Sequence, residues 1–100
     1  DVWDSLSEDV SLEVFRIAQE CISNALTHSN ADSIKVRLAI AADNSAGTLI
    51  VEDNGTAVES AFNTHGIGIR VMQERAKAIG GSIDIQKNTN GTSVSLRFPV

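Results

Sequence analysis

Three short groups of residues in this 100-residue chain combine types that do chemistry. Glu20, Asn24 and His28 are spaced i, i+4, i+8, which stacks them along one face of a helix. A carboxylate, an amide and an imidazole in line suit a hard cation and an anionic ligand. Mg²⁺ takes oxygen donors and shares them with phosphates. The spacing alone describes a solvated polar face better than a site. Asp53-Asn54-Gly55 follows an apolar run. Its carboxylate could accept a hydrogen bond from an exocyclic amine, and its glycine could let a flat ligand approach the backbone. Alone, it reads better as a turn. Gly66-Ile67-Gly68-Ile69 opens an apolar-periodic stretch. Glycines at a helix start leave N–H groups free to face an anion, and the helix dipole helps. Taken alone, a plain helix start is an equal explanation. The group is neither a dinucleotide fingerprint, which needs a third glycine in a βαβ unit, nor a P-loop, which needs Gly-Lys-Ser/Thr.

The elements that must position these groups are legible from periodicity. Ser7 is an N-cap, with Glu8 and Asp9 in the first turn, where the dipole favours carboxylates. From Val10 to about His28, Val10, Val14, Ile17, Cys21 and Ala25 recur at helical spacing, and Phe15, Ile22 and Leu26 widen the stripe. Ile34, Val36, Leu38 and Ile40 alternate with Ser33, Lys35, Arg37 and Ala39, as in a strand with one buried face. Residues 43–47 are a turn, and Thr48 to Glu52 a second strand, antiparallel because the connection is short. Residues 53–66 read as loop. Ile69, Met72, Ala76 and Ile79 mark a second helix, closed by Gly80-Gly81. Ile83 and Ile85 alternate in a third strand, Asn90-Gly91 signals a hairpin, and Val94, Leu96 and Phe98 alternate in a last strand. Strands with one apolar face are covered on one side only. The expected fold is an α/β two-layer sandwich, with a mixed, mostly antiparallel sheet and the helices on one face.

Composition bounds the function. The length is that of one domain. A net charge of −5 and scattered lysines and arginines argue against a nucleic-acid surface. Cys21 is the only cysteine, so no internal disulfide forms and a cytoplasmic setting is expected. No apolar run approaches the roughly 20 residues of a membrane span. The chain starts at Asp1 and reads as a domain excised from a longer protein.

Together, in this order, the three groups resemble the ATP-binding domain of the GHKL superfamily. The stretch from Phe15 to His28 resembles the N box of sensor histidine kinases that partner LuxR-type response regulators. Residues 51–55 resemble the first glycine box of that subfamily. Gly66 to Ala76, running on to Gly80-Gly81, resembles the second box and its helix, and Asn90-Gly91-Thr92 the last short box. The resemblance covers about Leu12 to Phe98.

The resemblance implies an ATP:protein-histidine phosphotransferase domain with Mg²⁺ and ATP as cofactors. Asp53 would bond the adenine amino group, Gly55 would let the ring lie close, and Thr92 would support Asp53. Asn24 would hold Mg²⁺, Glu20 would assist the metal or orient the nucleophile, and His28 would line the phosphate side. Gly66, Ile67 and Gly68 would give the phosphates backbone contact, and residues 56–65 would form a short lid. Two departures stand out. Ala57 occupies a usual glycine position, which bears on the geometry of the lid; Thr27 occupies a frequent lysine position and removes a positive charge from the phosphate end, so weaker nucleotide affinity is expected. The phosphorylated histidine would lie on a separate dimerisation domain of the same kinase, so His28 is not it. The isolated domain would be monomeric, its parent homodimeric and open to anchoring in the bacterial inner membrane, and the response regulator an indirect partner. An anti-sigma-factor-type kinase, an ATP hydrolase of the same superfamily and a nucleotide-blind interaction module are the rival readings.

Overall fold

A computed structural model describes residues 6–28, 31–43, 45–55, 67–88 and 91–100, with side chains for all of these except 27–28, 67–69 and 87–88. In chain order the elements are α1 (Glu8–His28), β1 (Ile34–Ile40), β2 (Ala46–Asp53), α2 (Ile67–Ala78), β3 (Ser82–Asn88) and β4 (Gly91–Pro99).

Local chemistry sets the helix ends. Ser7 caps α1: its Oγ accepts the Val10 N–H at 3.2 Å, which satisfies one of the donors a helix start leaves open. At the end of α2, Gly80 takes φ +75°, a conformation that favours glycine. The Gly81 N–H reaches the Ala76 carbonyl at 2.7 Å and the Gly80 N–H reaches Lys77 at 2.9 Å, the bond pair of a Schellman cap. α2 starts at Ile67, two residues before the periodicity suggests, so Gly68 lies inside its first turn.

The sheet order is β1-β2-β4-β3. Each pairing is antiparallel, so the expected mixed sheet is wholly antiparallel among the described residues. β2 begins at Ala46, and the turn before it is correspondingly shorter than residues 43–47. Leu49 and Val51 of β2 and Val94, Leu96 and Phe98 of β4 form two buried rows. Val14, Ile17 and Cys21 of α1 and Met72 and Ala76 of α2 pack on them as one core. Both helices therefore lie on one face, as expected. The predicted stripe of α1 needs one correction. Val14, Ile17, Cys21 and Ala25 are buried, but Phe15 and Leu26 are 50% and 64% exposed. They stand on a different side of the helix from the core row.

Candidate functional site

The period-two alternation of β2 and β4 places the first part of the site. Asp53 continues the row of Leu49 and Val51, and Thr92 the row of Val94, Leu96 and Phe98. Both therefore project to the helix-covered face, at the end where the apolar rows stop. They are register partners across β2 and β4, which sets their Cβ atoms about 5 Å apart. Asp53 is half-buried. Its Oδ1 accepts the Gly55 N–H at 2.9 Å, leaving Oδ2 for a donor from outside. Thr92 is 3% exposed, and its Oγ1 has no hydrogen-bond partner among the described residues. A buried hydroxyl in that state is uncommon.

Gly91 makes this arrangement possible. Its φ of +146° is one that side chains rarely adopt, and a Cβ there would run into the carbonyl oxygen of Asp53. The Asn-Gly pair reads as a hairpin turn, but the demand on Gly91 is also close approach to the Asp53 backbone.

Asn54 does structural work. Its Oδ1 accepts the N–H groups of Asp32 at 3.1 Å and Ser33 at 3.0 Å, and its Nδ2 donates to Asp32 Oδ1 at 2.6 Å. Its own N–H reaches the Ser33 carbonyl at 3.2 Å. The side chain thus fastens the segment after α1 to the end of β2, beside Asp53. Asn54→Ala removes three side-chain bonds, one to a carboxylate. It is expected to lower stability by about 1–2 kcal/mol, a modest loss because the site is exposed to water. A shift of the urea midpoint measures it, and an unchanged midpoint would mean that water replaces the clamp at no cost.

The second part of the site is α1. Glu20 and Asn24 are half-buried, one turn apart on one face. His28 is the last residue of α1; its side chain, like that of Thr27, lies outside the described residues. Between Glu20 and Asn24, Cys21 points into the core and donates to Met72 Sδ at 3.7 Å. Its thiol is pushed up to about 12, first by burial and then by the carboxylates of Glu20 and Asp53. Asp53 on the sheet and Glu20 on the helix are therefore both close enough to act on one sulfur.

The sign of this shift gives a pH prediction. A thiol raised by folding contributes stability that is full below its ordinary value of 9.0 and is lost as pH rises toward about 12. Resistance to urea should fall from about pH 9 upward, and Cys21→Ala should flatten that fall. Equal pH slopes in the two proteins would show that Cys21 remains protonated on unfolding or ionises freely when folded.

The third part is the start of α2. Ile67 and Gly68 lie in its first turn, with their N–H groups at the positive end of the helix. Gly66, Ala57 and the expected lid at 56–65 lie outside the described residues. Arg75 has a role the sequence does not reveal: it pairs with Glu13 at 3.2 Å, tying α2 to α1. A groove of about 670 Å³ between the helices includes Glu20 but not Asn24, Asp53 or Thr92. It is adjacent to the site rather than its centre. No group of three His, Cys, Asp or Glu side chains that could hold a metal occurs among the described residues. A cation here would have to share Glu20 and Asn24 with a ligand's own oxygens.

Residues 9–100 match the family described as histidine kinase-, DNA gyrase B- and HSP90-like ATPases. The chain belongs to this ATPase family. Its relatives within the family include the signal transduction histidine-protein kinase/phosphatase UhpB of Salmonella typhimurium, 34% identical over 95% of this chain and 18% of the relative. The nitrate/nitrite sensor protein NarQ of Escherichia coli is 31% identical over 94% and 17%. The sensor histidine kinase LiaS of Bacillus subtilis is 35% identical over 98% and 28%. The chain thus spans less than a third of each relative's length. Among solved structures, the histidine kinase domain of a blue-light activated histidine kinase from Erythrobacter litoralis superposes with a TM-score of 0.77 at 18% identity, over 91% of this chain and 45% of that one. The Acinetobacter baumannii histidine kinase AdeS gives 0.72 at 19%, over 89% and 46%. At such identities the likeness establishes the ATPase-family fold. No described helix of this family member is long and apolar enough to cross a membrane.

Proposed function

We infer that this chain binds Mg-ATP between the β2–β4 end of the sheet, α1 and the start of α2. It would donate the γ-phosphoryl group to a histidine on a separate dimerisation domain of the same kinase. The buried Thr92 hydroxyl carries this reading. It lacks a partner among the described residues, stands opposite the Asp53 carboxylate, and lies where the apolar rows end. A flat base with an exocyclic amine meets the needs of both groups: Asp53 Oδ2 accepts from the amine, and Thr92 meets the neighbouring polar edge directly or through water. Gly55 is buried beside them with no side chain to keep a ring away.

Glu20 and Asn24 supply two oxygen donors for Mg²⁺, with ligand oxygens completing its shell. The N–H groups at the start of α2 offer anion contacts. When bound, Mg-ATP supplies the transferable phosphoryl group and the metal charge that phosphoryl transfer requires. The chain's residues would then hold and orient the nucleotide and its metal, and the attacking group would be the acceptor histidine. The relatives named as histidine kinases support this reading over a hydrolase. Residues 1–100 would act as the cytoplasmic ATP-binding domain of a homodimeric sensor kinase whose phosphohistidine serves a response regulator.

Thr92→Val tests the reading through two opposite effects. Valine matches the shape and removes the unsatisfied hydroxyl, so the ligand-free protein should gain about 1 kcal/mol. Mg-ATP affinity should fall about three- to tenfold. Urea unfolding and calorimetric titration measure the pair. Unchanged affinity would remove Thr92 from the nucleotide site.

A further inference from the structure

Glu13, Glu20 and Asn24 share one stripe of α1. Glu20 and Asn24 follow Glu13 by seven and eleven residues, and both intervals come within about 20° of whole helical turns. The stripe that carries the groups assigned to the metal therefore begins at Glu13. α2 has a matching stripe, because Gly68 and Arg75 are also seven residues apart. Arg75 Nη1 donates to Glu13 Oε1 at 3.2 Å, so the two stripes meet at that end.

A second contact gives the sense of the helix pair. Cys21 Sγ meets Met72 Sδ at 3.7 Å. Moving forward along α1 from Glu13 to Cys21 thus moves backward along α2 from Arg75 to Met72. The helices run in opposite senses, and the start of α2 is carried toward the part of α1 that holds Glu20 and Asn24. Met72 is fully buried and fixes α2 at one point near its middle. One fixed point leaves a helix free to tilt, and a second, close to a turn further on, stops the tilt. The Arg75–Glu13 pair suits that task. Its side chains are 32% and 18% exposed, and among the described residues it is the ion pair that joins the two helices. The pairs Arg37–Glu52 and Lys77–Glu74 lie out in solvent, where such contacts contribute little. A shielded pair is screened less and holds more firmly.

We propose that Arg75 is a positioning residue for phosphate binding. Its pairing with Glu13 sets the tilt of α2, and with it the placement of the Ile67 and Gly68 N–H groups relative to Glu20 and Asn24. This rests on the reading that Mg-ATP binds there. The field of a helix start falls off within its first turn, so the tilt acts on the phosphates. A base held on the sheet by Asp53 and Thr92 is indifferent to it.

The test compares Mg-ATP with adenosine, which lacks phosphates, by calorimetry on the chain and two variants. Arg75→Gln should weaken Mg-ATP binding about three- to tenfold and leave adenosine affinity within about twofold. Arg75→Lys keeps a charge for this single N–H···O contact and should restore most of the Mg-ATP affinity. In the ligand-free protein, the Ile67 and Gly68 amide resonances should move in Arg75→Gln, while those of Asp53 and Gly55 stay in place. Equal losses for the two ligands would mark a general structural role and overturn the proposal. Unchanged Mg-ATP affinity in Arg75→Gln, or a lysine variant as weak as the glutamine one, overturns it too. An unsubstituted chain that binds neither ligand overturns the nucleotide reading instead. Unmoved Ile67 and Gly68 amides overturn the tilt in either case.

Discussion

Gly91→Ala should be the most damaging single-methyl change in the chain, lowering stability by about 2–5 kcal/mol. Two costs add. A φ of +146° is strained for any residue with a Cβ, and the new methyl would run into the Asp53 carbonyl oxygen. That obstacle is backbone held in the β2–β4 ladder, so it cannot rotate away as a side chain would. Domains of this size have about 5–15 kcal/mol in hand, so the variant should still fold, or fail only at the low end of that range. The strand must shift to make room, and the shift moves Asp53 relative to Thr92. Mg-ATP binding should therefore be lost even in the fraction that folds. Ser93→Ala, two residues along and half-buried on the sheet face away from the helices, should move stability by no more than about 0.5 kcal/mol. Urea midpoints for the two variants make the comparison. A Gly91→Ala midpoint equal to that of the parent chain would show that the backbone relaxes there without disturbing Asp53.

Asp53→Asn should act on binding and spare the fold. The amide keeps the shape of the carboxylate, and its oxygen can still accept the Gly55 N–H. What it loses is a charged acceptor for an incoming amine, and it presents a donor where a donor already stands. A hydrogen bond to a charged group contributes about 1.5–3 kcal/mol, so Mg-ATP affinity should fall about ten- to a hundredfold or more. The substitution also removes one of the carboxylates that push the Cys21 thiol upward, so that thiol should titrate lower in the variant. Calorimetry reads the first effect and the pH dependence of thiol alkylation the second. Unchanged affinity together with a lowered thiol would mean that Asp53 faces α1 but not the base.

Much of this fold is readable from residue order because its signals are local. The alternation in Ile34–Ile40 and Val94–Phe98, the Ser7 cap and the Gly80-Gly81 stop each depend on neighbours within a few positions. The failures involve residues whose meaning depends on distant partners. Phe15 and Leu26 fit a helical apolar pattern as well as Ile17 and Cys21 do, and periodicity cannot say which of two stripes meets the sheet. Asn54 reads as a turn residue until Asp32 and Ser33, 22 and 21 positions earlier, are brought beside it. Arg75 looks like part of a motif; its ion pair with Glu13 spans 62 positions. The pairing of Asp53 with Thr92 was expected from the family resemblance. The burial that leaves the Thr92 hydroxyl without a partner among the described residues is a tertiary fact that no short window contains.

We propose that nucleotide sits where Asp53, Thr92, Asn24 and the start of α2 converge. The most direct test is a titration of the isotope-labelled chain with Mg-ATP, followed residue by residue through the backbone amide resonances. Saturable shifts are expected to concentrate at Asp53, Gly55, Gly91, Thr92, Asn24 and Gly68, with Leu12, Phe15 and the β3 amides unmoved. Shifts confined to the outer α1–α2 groove, or none at millimolar Mg-ATP with the fold intact, would contradict it.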